Sequence, residues 1–139
     1  MLIGRTLLYT TYTGVFQPPE AQRVLPSLHV SSTSGTGVVH MAPAHGAEDY
    51  AVFTAAGLLG TSGSDIVSPV DGNGRYSEEI LKLCRDPGHG LRLVGKEVLS
   101  DGTQEILSIL KEVGALVACD KYKHRYPYDL RTNRPMIVR

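Results

Sequence analysis

Gly35-Thr36-Gly37-Val38-Val39-His40-Met41-Ala42-Pro43-Ala44-His45-Gly46-Ala47-Glu48-Asp49-Tyr50 reads as a strand, a tight turn and the opening of a helix. The β-branched run Gly37 to Met41, bounded by glycine and Pro43, predicts a buried strand. From Gly46 the composition turns helical. Glu48 and Asp49 stand where acids favour a first turn, Ala51, Ala55 and Ala56 have high propensity, and Gly57 supplies a stop. Two histidines and two acids therefore gather at one strand-to-helix turn, separated by residues small enough to let a ligand approach the backbone. Backbone N–H groups at a helix start can hold an oxyanion or a hydroxyl.

Outward from this stretch the pattern is mixed, without internal repeats. Leu7-Leu8-Tyr9 and Val15-Phe16 read as short strands, broken by Gln17-Pro18-Pro19-Glu20, whose prolines cannot donate to a ladder. Leu28-His29-Val30 alternates into Ser31 to Gly35. Asp71-Gly72-Asn73-Gly74 predicts a hairpin turn between Ile66-Val67 and Arg75-Tyr76, whereas Ser77 to Cys84 stays ambiguous. The clearest helix spans Asp101 to Val113, with Asp101 as cap, Gln104 at the capping-box position, and a stripe of Ile106, Ile109, Leu110 and Val113. Gly114 ends it, and Leu116 to Cys119 and Met136 to Val138 read as strands. The expected class is α+β, with strands the larger part.

The 139 residues, 42% hydrophobic and 20% charged, have the length and composition of one globular domain with its own core. The 14 basic residues balance 14 acidic ones, so the global field gives no sign of a nucleic-acid binder. One local basic excess comprises Lys121, Lys123, Arg125, Arg131, Arg134 and Arg139, a stretch able to meet phosphates or simply to face solvent. Cys84 and Cys119 stand alone, without zinc-type or disulfide spacing, which fits a reducing compartment. No apolar run approaches the ~20 residues of a membrane span, and the first residues lack the layout of a secretion signal. The expectation is a soluble chain without a membrane partner.

Each candidate site residue admits two readings. His40 ends the predicted strand and can face a pocket or sit satisfied in a core. Asp49 can hold a ligand cation or merely favour the positive end of the helix dipole. His45 can contact a ligand or simply hydrogen-bond the turn, and Glu48 can be a solvated first-turn acid.

The sixteen-residue stretch resembles the Gly-Thr-Gly-x-Val-His-x-Ala-Pro-x-His-Gly-x-Asp/Glu-Asp-Tyr signature in the editing domain of isoleucyl-tRNA synthetases. Valyl relatives usually place lysine at the His40 position and leucyl relatives methionine, and both tend to carry His-Asp where this chain has His45-Gly46, which favours the isoleucyl family. Leu2-Ile3-Gly4 through Tyr9 is similar to the family's entry strand, and Val70 to Tyr76 to its acidic hairpin. Lys123 to Thr132 is similar to the segment leading back to the catalytic domain, with Leu130 in place of the usual tryptophan. The His-x-Gly-His and Lys-Met-Ser-Lys-Ser signatures and the threonine-rich editing peptide do not occur; Thr10, Thr11 and Thr13 lie in the entry region instead.

The resemblance implies a strand-rich, β-barrel-like editing domain with a few short helices, present in part across 1–139, with 120–139 as the strand returning toward the catalytic domain. It implies hydrolysis of valyl-tRNA(Ile), with aminoacylation residing elsewhere and this piece alone weak or inactive. Asp49 is expected to hold the substrate's α-ammonium. His40 is expected to border the side-chain pocket and to serve as a possible general base. His45, Gly46, Thr36 and Gly37 complete the expected substrate contacts. Editing is expected to need neither metal nor cofactor, ATP being required for the parent enzyme's charging reaction. The implied partners are the charged 3′ end of tRNA(Ile) and the rest of the synthetase, with the isolated piece monomeric. The setting is the cytoplasm of a bacterium, or otherwise a mitochondrion or other organelle. A stand-alone trans-editing hydrolase and a non-enzymatic ligand-binding β-domain are the alternatives.

Overall fold

The computed structural model describes residues 4–16, 21–31, 33, 36–59, 66–120 and 125–137. Gly35, Gln17 to Glu20, Lys121, Lys123, Val138 and Arg139, which carry parts of the expectations above, lie outside them. Among the described residues there are two strands, β1 (Thr11–Tyr12) and β2 (Gln22–Arg23), and four α-helices, α1 (Ala47–Ala55), α2 (Ile80–Leu83), α3 (Pro87–Leu93) and α4 (Asp101–Glu112). The class is α+β, but helix outweighs strand and no barrel forms among the described residues.

The expected strand at Leu7-Leu8-Tyr9 is instead a 3-10 turn, Gly4–Leu7. The Thr10 hydroxyl donates to the Leu7 carbonyl at 2.6 Å, and Tyr9 takes a positive φ of 64°. Local bonds win there because pairing begins only at Tyr9, whose N–H donates to the Val24 carbonyl at 2.9 Å. From that point β1 runs antiparallel to β2, Thr11 facing Arg23 and Tyr12 facing Gln22. Val15-Phe16 is a turn rather than a strand, and both side chains lean on the core.

That core lies between 70 and 109. Ile80, Cys84, Leu93 and Ile109 form its buried cluster, and Val70 is buried as well. The Asp71 hairpin closes as expected. Asp71 Oδ1 accepts the N–H groups of Asn73 and Arg75 at 2.8 and 2.9 Å, Gly74 takes φ 73°, and Val70 bridges Tyr76. α3 is signalled by Asp86-Pro87, an N-cap acid followed by proline at the first helical position; Asp86 Oδ1 accepts the Gly88 N–H at 2.8 Å.

α4 matches its prediction within a residue. Its cap is Ser100 rather than Asp101, because the Asp101 carboxylate turns back to accept the Glu97 N–H at 2.7 Å. Arg92 ties α3 to α4 through Glu105 and both oxygens of Glu112 at 2.6–2.8 Å. Gly102 seats the start of α4 against the preceding turn, since a Cβ there would lie 2.6 Å from the Glu97 carbonyl oxygen.

Three further expected strands are absent among the described residues. Gly37 to Met41 belongs to no strand, and Val38 and Val39 are 62% and 55% exposed. Leu116 to Cys119 is likewise unpaired, with Val117 99% exposed. Near the end, a single bridge joins Tyr128 to Pro135 across a turn braced by Asp129, whose Oδ1 accepts the N–H groups of Arg131 and Thr132. The physical reason is common to all three. β-propensity expresses itself against a neighbouring strand, and these runs meet none among the described residues.

Candidate functional site

The turn before α1 is built by its own backbone. The N–H groups of His45 and Gly46 both donate to the Ala42 carbonyl, at 2.8 and 3.1 Å. Gly46 is the N-cap of α1 in an extended conformation and offers no side-chain cap. The carboxylate that completes the arrangement comes from within the first turn of the helix. Asp49 Oδ2 accepts the Ala42 N–H at 2.8 Å, clamping the turn onto the helix. Gly46 leaves room for this, because a Cβ there would stand 3.1 Å from Asp49 Oδ2. The side chain of Asp49 is 17% exposed, so its charge is mostly withdrawn from water while it sits at the positive end of the helix dipole.

His29, which was not singled out from the sequence, faces the other carboxylate oxygen, with Nε2 3.3 Å from Asp49 Oδ1. Its Nδ1 lies 2.7 Å from the Ser27 hydroxyl. One neutral tautomer is compatible with both contacts, with Ser27 O–H donating to Nδ1 and the ring hydrogen on Nε2, the nitrogen that faces Asp49. The available signal was slight: a histidine in the alternating Leu28-His29-Val30 run.

Of the predicted site residues, the fold brings Asp49, Gly46 and the His45 backbone into one knot with Ala42. His40 is exposed on the extended segment leading into it. Thr36 is engaged locally, its hydroxyl 3.2 Å from both the N–H and the carbonyl of Val38, and Gly37 takes φ 73°. Glu48 lines a neighbouring groove of about 600 Å³ between residues 23–29 and the Ala51, Val52 and Ala55 face of α1; Ser27 and His29 also border it. Among the described residues no cluster of three or more His, Cys, Asp or Glu could hold a metal ion, and no helix is long and apolar enough to cross a membrane. Of the basic stretch, Arg125, Arg131 and Arg134 are described and exposed.

A carboxylate held by one backbone N–H and flanked by an imidazole, with its remaining lone pairs open, can bind and orient an ammonium group. No protein-family model matches the chain. Curated relatives do. Isoleucine–tRNA ligase of Cyanothece sp. is 40% identical over 99% of this chain, and that of Crocosphaera subtropica 38% over 99%. The mitochondrial isoleucine–tRNA ligase of Schizosaccharomyces pombe is 41% identical over 93%. In each case the chain spans 12–13% of the relative's own length.

Proposed function

We propose, for a chain that belongs over nearly its whole length to the isoleucine–tRNA ligase family, that it is part of the editing domain and that its turn at 42–49 serves hydrolysis of valyl-tRNA(Ile). Amino-acid activation with ATP is assigned to the remainder of the enzyme. An apolar pocket gains only ~1–3 kcal/mol from one methylene, a limit for which isoleucine against valine is the standard example. A second, smaller site that destroys valyl product supplies the missing discrimination.

The observation that carries the reading is the fixed Asp49 carboxylate. It is anchored by the Ala42 N–H beside a glycine whose missing side chain leaves its approach open. In the proposed reaction Asp49 pairs with the α-ammonium and so places the ester carbonyl. Water attacks that carbonyl, the bond to the terminal ribose oxygen breaks, and the proton from water passes to that oxygen. His40, exposed at the entrance of the turn, is assigned to the side-chain pocket, where it excludes isoleucine, and to contact with the ribose or the attacking water. His45 and Gly46 contribute backbone, and Thr36 and Gly37 the approach to His40. The α+β class is supported in general form. The finer barrel is proposed for the longer protein, where strands from outside this segment would cover Val38 and Val39. Bacterial and mitochondrial relatives support a bacterial cytoplasmic or a mitochondrial setting.

A structural role for Asp49 alone has one observation in its favour, the same bond to Ala42. Asp49→Ala in the full synthetase separates the two. The editing reading expects hydrolysis of preformed valyl-tRNA to fall by a factor of ~100 or more, as misplacement of a reacting group costs, while charging with isoleucine is retained. Undiminished hydrolysis leaves only the structural role.

A further inference from the structure

We propose that His29 is a positioning residue for Asp49, and that the Ser27–His29 pair sets the direction in which the carboxylate meets an ammonium ligand. This rests on the reading of Asp49 as the α-ammonium partner. The two anchors of the carboxylate differ in kind. Ala42 N–H holds Oδ2 from within the turn, 2.8 Å away, and is fixed by the backbone. His29 Nε2 approaches Oδ1 at 3.3 Å from a segment twenty residues earlier in the chain, joined to α1 by no strand or helix contact. With Oδ2 alone anchored, the carboxyl group keeps one torsional freedom about its Cβ–Cγ bond. The His29 ring beside Oδ1 restricts it.

Ser27 makes the arrangement directional. Its hydroxyl lies 2.7 Å from Nδ1, and in the tautomer in which Ser27 donates there the ring hydrogen sits on Nε2, the nitrogen 3.3 Å from Asp49 Oδ1. With Oδ2 accepting the Ala42 N–H and Oδ1 flanked by the His29 ring, the open approach to the carboxylate lies on the side away from both. An incoming ammonium is directed to that side. The ring and the carboxylate are also partly shielded, 29% and 17% exposed, so the contact is stronger than a fully solvated one.

The test is carried out on the full synthetase with valyl-tRNA as substrate, separating kcat from KM. His29→Leu, which cannot donate, is expected to lower kcat for deacylation by ~10-fold with KM changed less than twofold, since only the alignment of the bound ester is lost. His29→Gln places an amide nitrogen near the position of Nε2 and is expected to recover kcat to within ~3-fold of the unaltered enzyme, a rescue that a packing role would not give. Asp49→Asn is measured alongside. If Asp49→Asn abolishes hydrolysis while His29→Leu keeps full kcat, the positioning role is wrong and the editing reading stands. If His29→Leu and His29→Gln are equally slow, the ring acts otherwise than by donating to Asp49 and the proposal is again overturned. If Asp49→Asn hydrolyses normally, both the proposal and the reading beneath it fall.

Discussion

In the proposed reading Asp49 performs two tasks with one carboxylate, clamping the turn and meeting an ammonium group, and its sequence context alone left both readings open. An acid in a first helical turn is ordinary, and the dipole explains it without a ligand. The fold adds that the carboxylate reaches back seven residues to the Ala42 N–H, next to a glycine that makes room for it. His40, Gly46 and Asp49 could be singled out as candidates because a long local signature contains them, whereas His29 could not, since it lies outside that signature and meets Asp49 only in space. His40 is exposed at the entrance to the turn, which suits a residue that screens what enters. His40→Ala in the full synthetase is therefore expected to raise hydrolysis of isoleucyl-tRNA by roughly tenfold or more, the worth of admitting one further methylene, with valyl-tRNA hydrolysis falling less. Assay of preformed isoleucyl-tRNA reads this out, and unchanged resistance to hydrolysis contradicts the exclusion role.

Elements whose bonds are local matched their predictions, and elements that need a distant partner did not. α1, α4 and the Asp71 turn carry their own signals in glycines, first-turn or turn acids and apolar spacing. The runs at Val38-Val39 and Leu116 to Cys119 carry propensity alone, and no local feature says whether a partner strand is within reach. Gly102 shows how close packing reverses a local rule. In an open helix, glycine to alanine stabilises by about 0.5–1 kcal/mol. Here the new Cβ would lie 2.6 Å from a backbone oxygen and 2.9 Å from the Tyr76 ring, so Gly102→Ala is expected to destabilise by roughly 1–3 kcal/mol. Denaturant unfolding checks the sign. The α3–α4 clamp carries a second prediction. Hydrogen bonds from Arg92 hold the Glu112 carboxyl down at about 2, against an ordinary 4.5. Its folded pKa is depressed, so its contribution is present above about pH 4.5 and is lost as pH falls toward 2. Stability measured against pH should decline over that window in the unaltered chain and more weakly in Arg92→Met, and equal slopes would contradict the clamp.

At the scale of the whole molecule, large apolar side chains among the described residues stay uncovered: Leu28, Val117 and Leu130 are almost completely exposed. The buried core draws on residues 70–109, and the turn that carries Asp49 lies outside it. Length and composition alone suggested an ordinary domain with its own core; they could not show that much apolar surface, such as Leu28, Val117 and Leu130, would be left uncovered. The chain spans 12–13% of its relatives' length, and the proposed reading has the rest of a longer enzyme cover such surfaces. On that account the hydrolytic site is completed by the remainder of the enzyme, and the 1–139 segment supplies the group that recognises the aminoacyl ester. The direct measurement is misacylation by the full synthetase after the 1–139 segment is replaced with a short linker, with retained isoleucine charging as the check on folding. The account predicts that valyl-tRNA(Ile) accumulates where the intact enzyme shows none; continued destruction of valyl-tRNA by an enzyme that still charges isoleucine would contradict it.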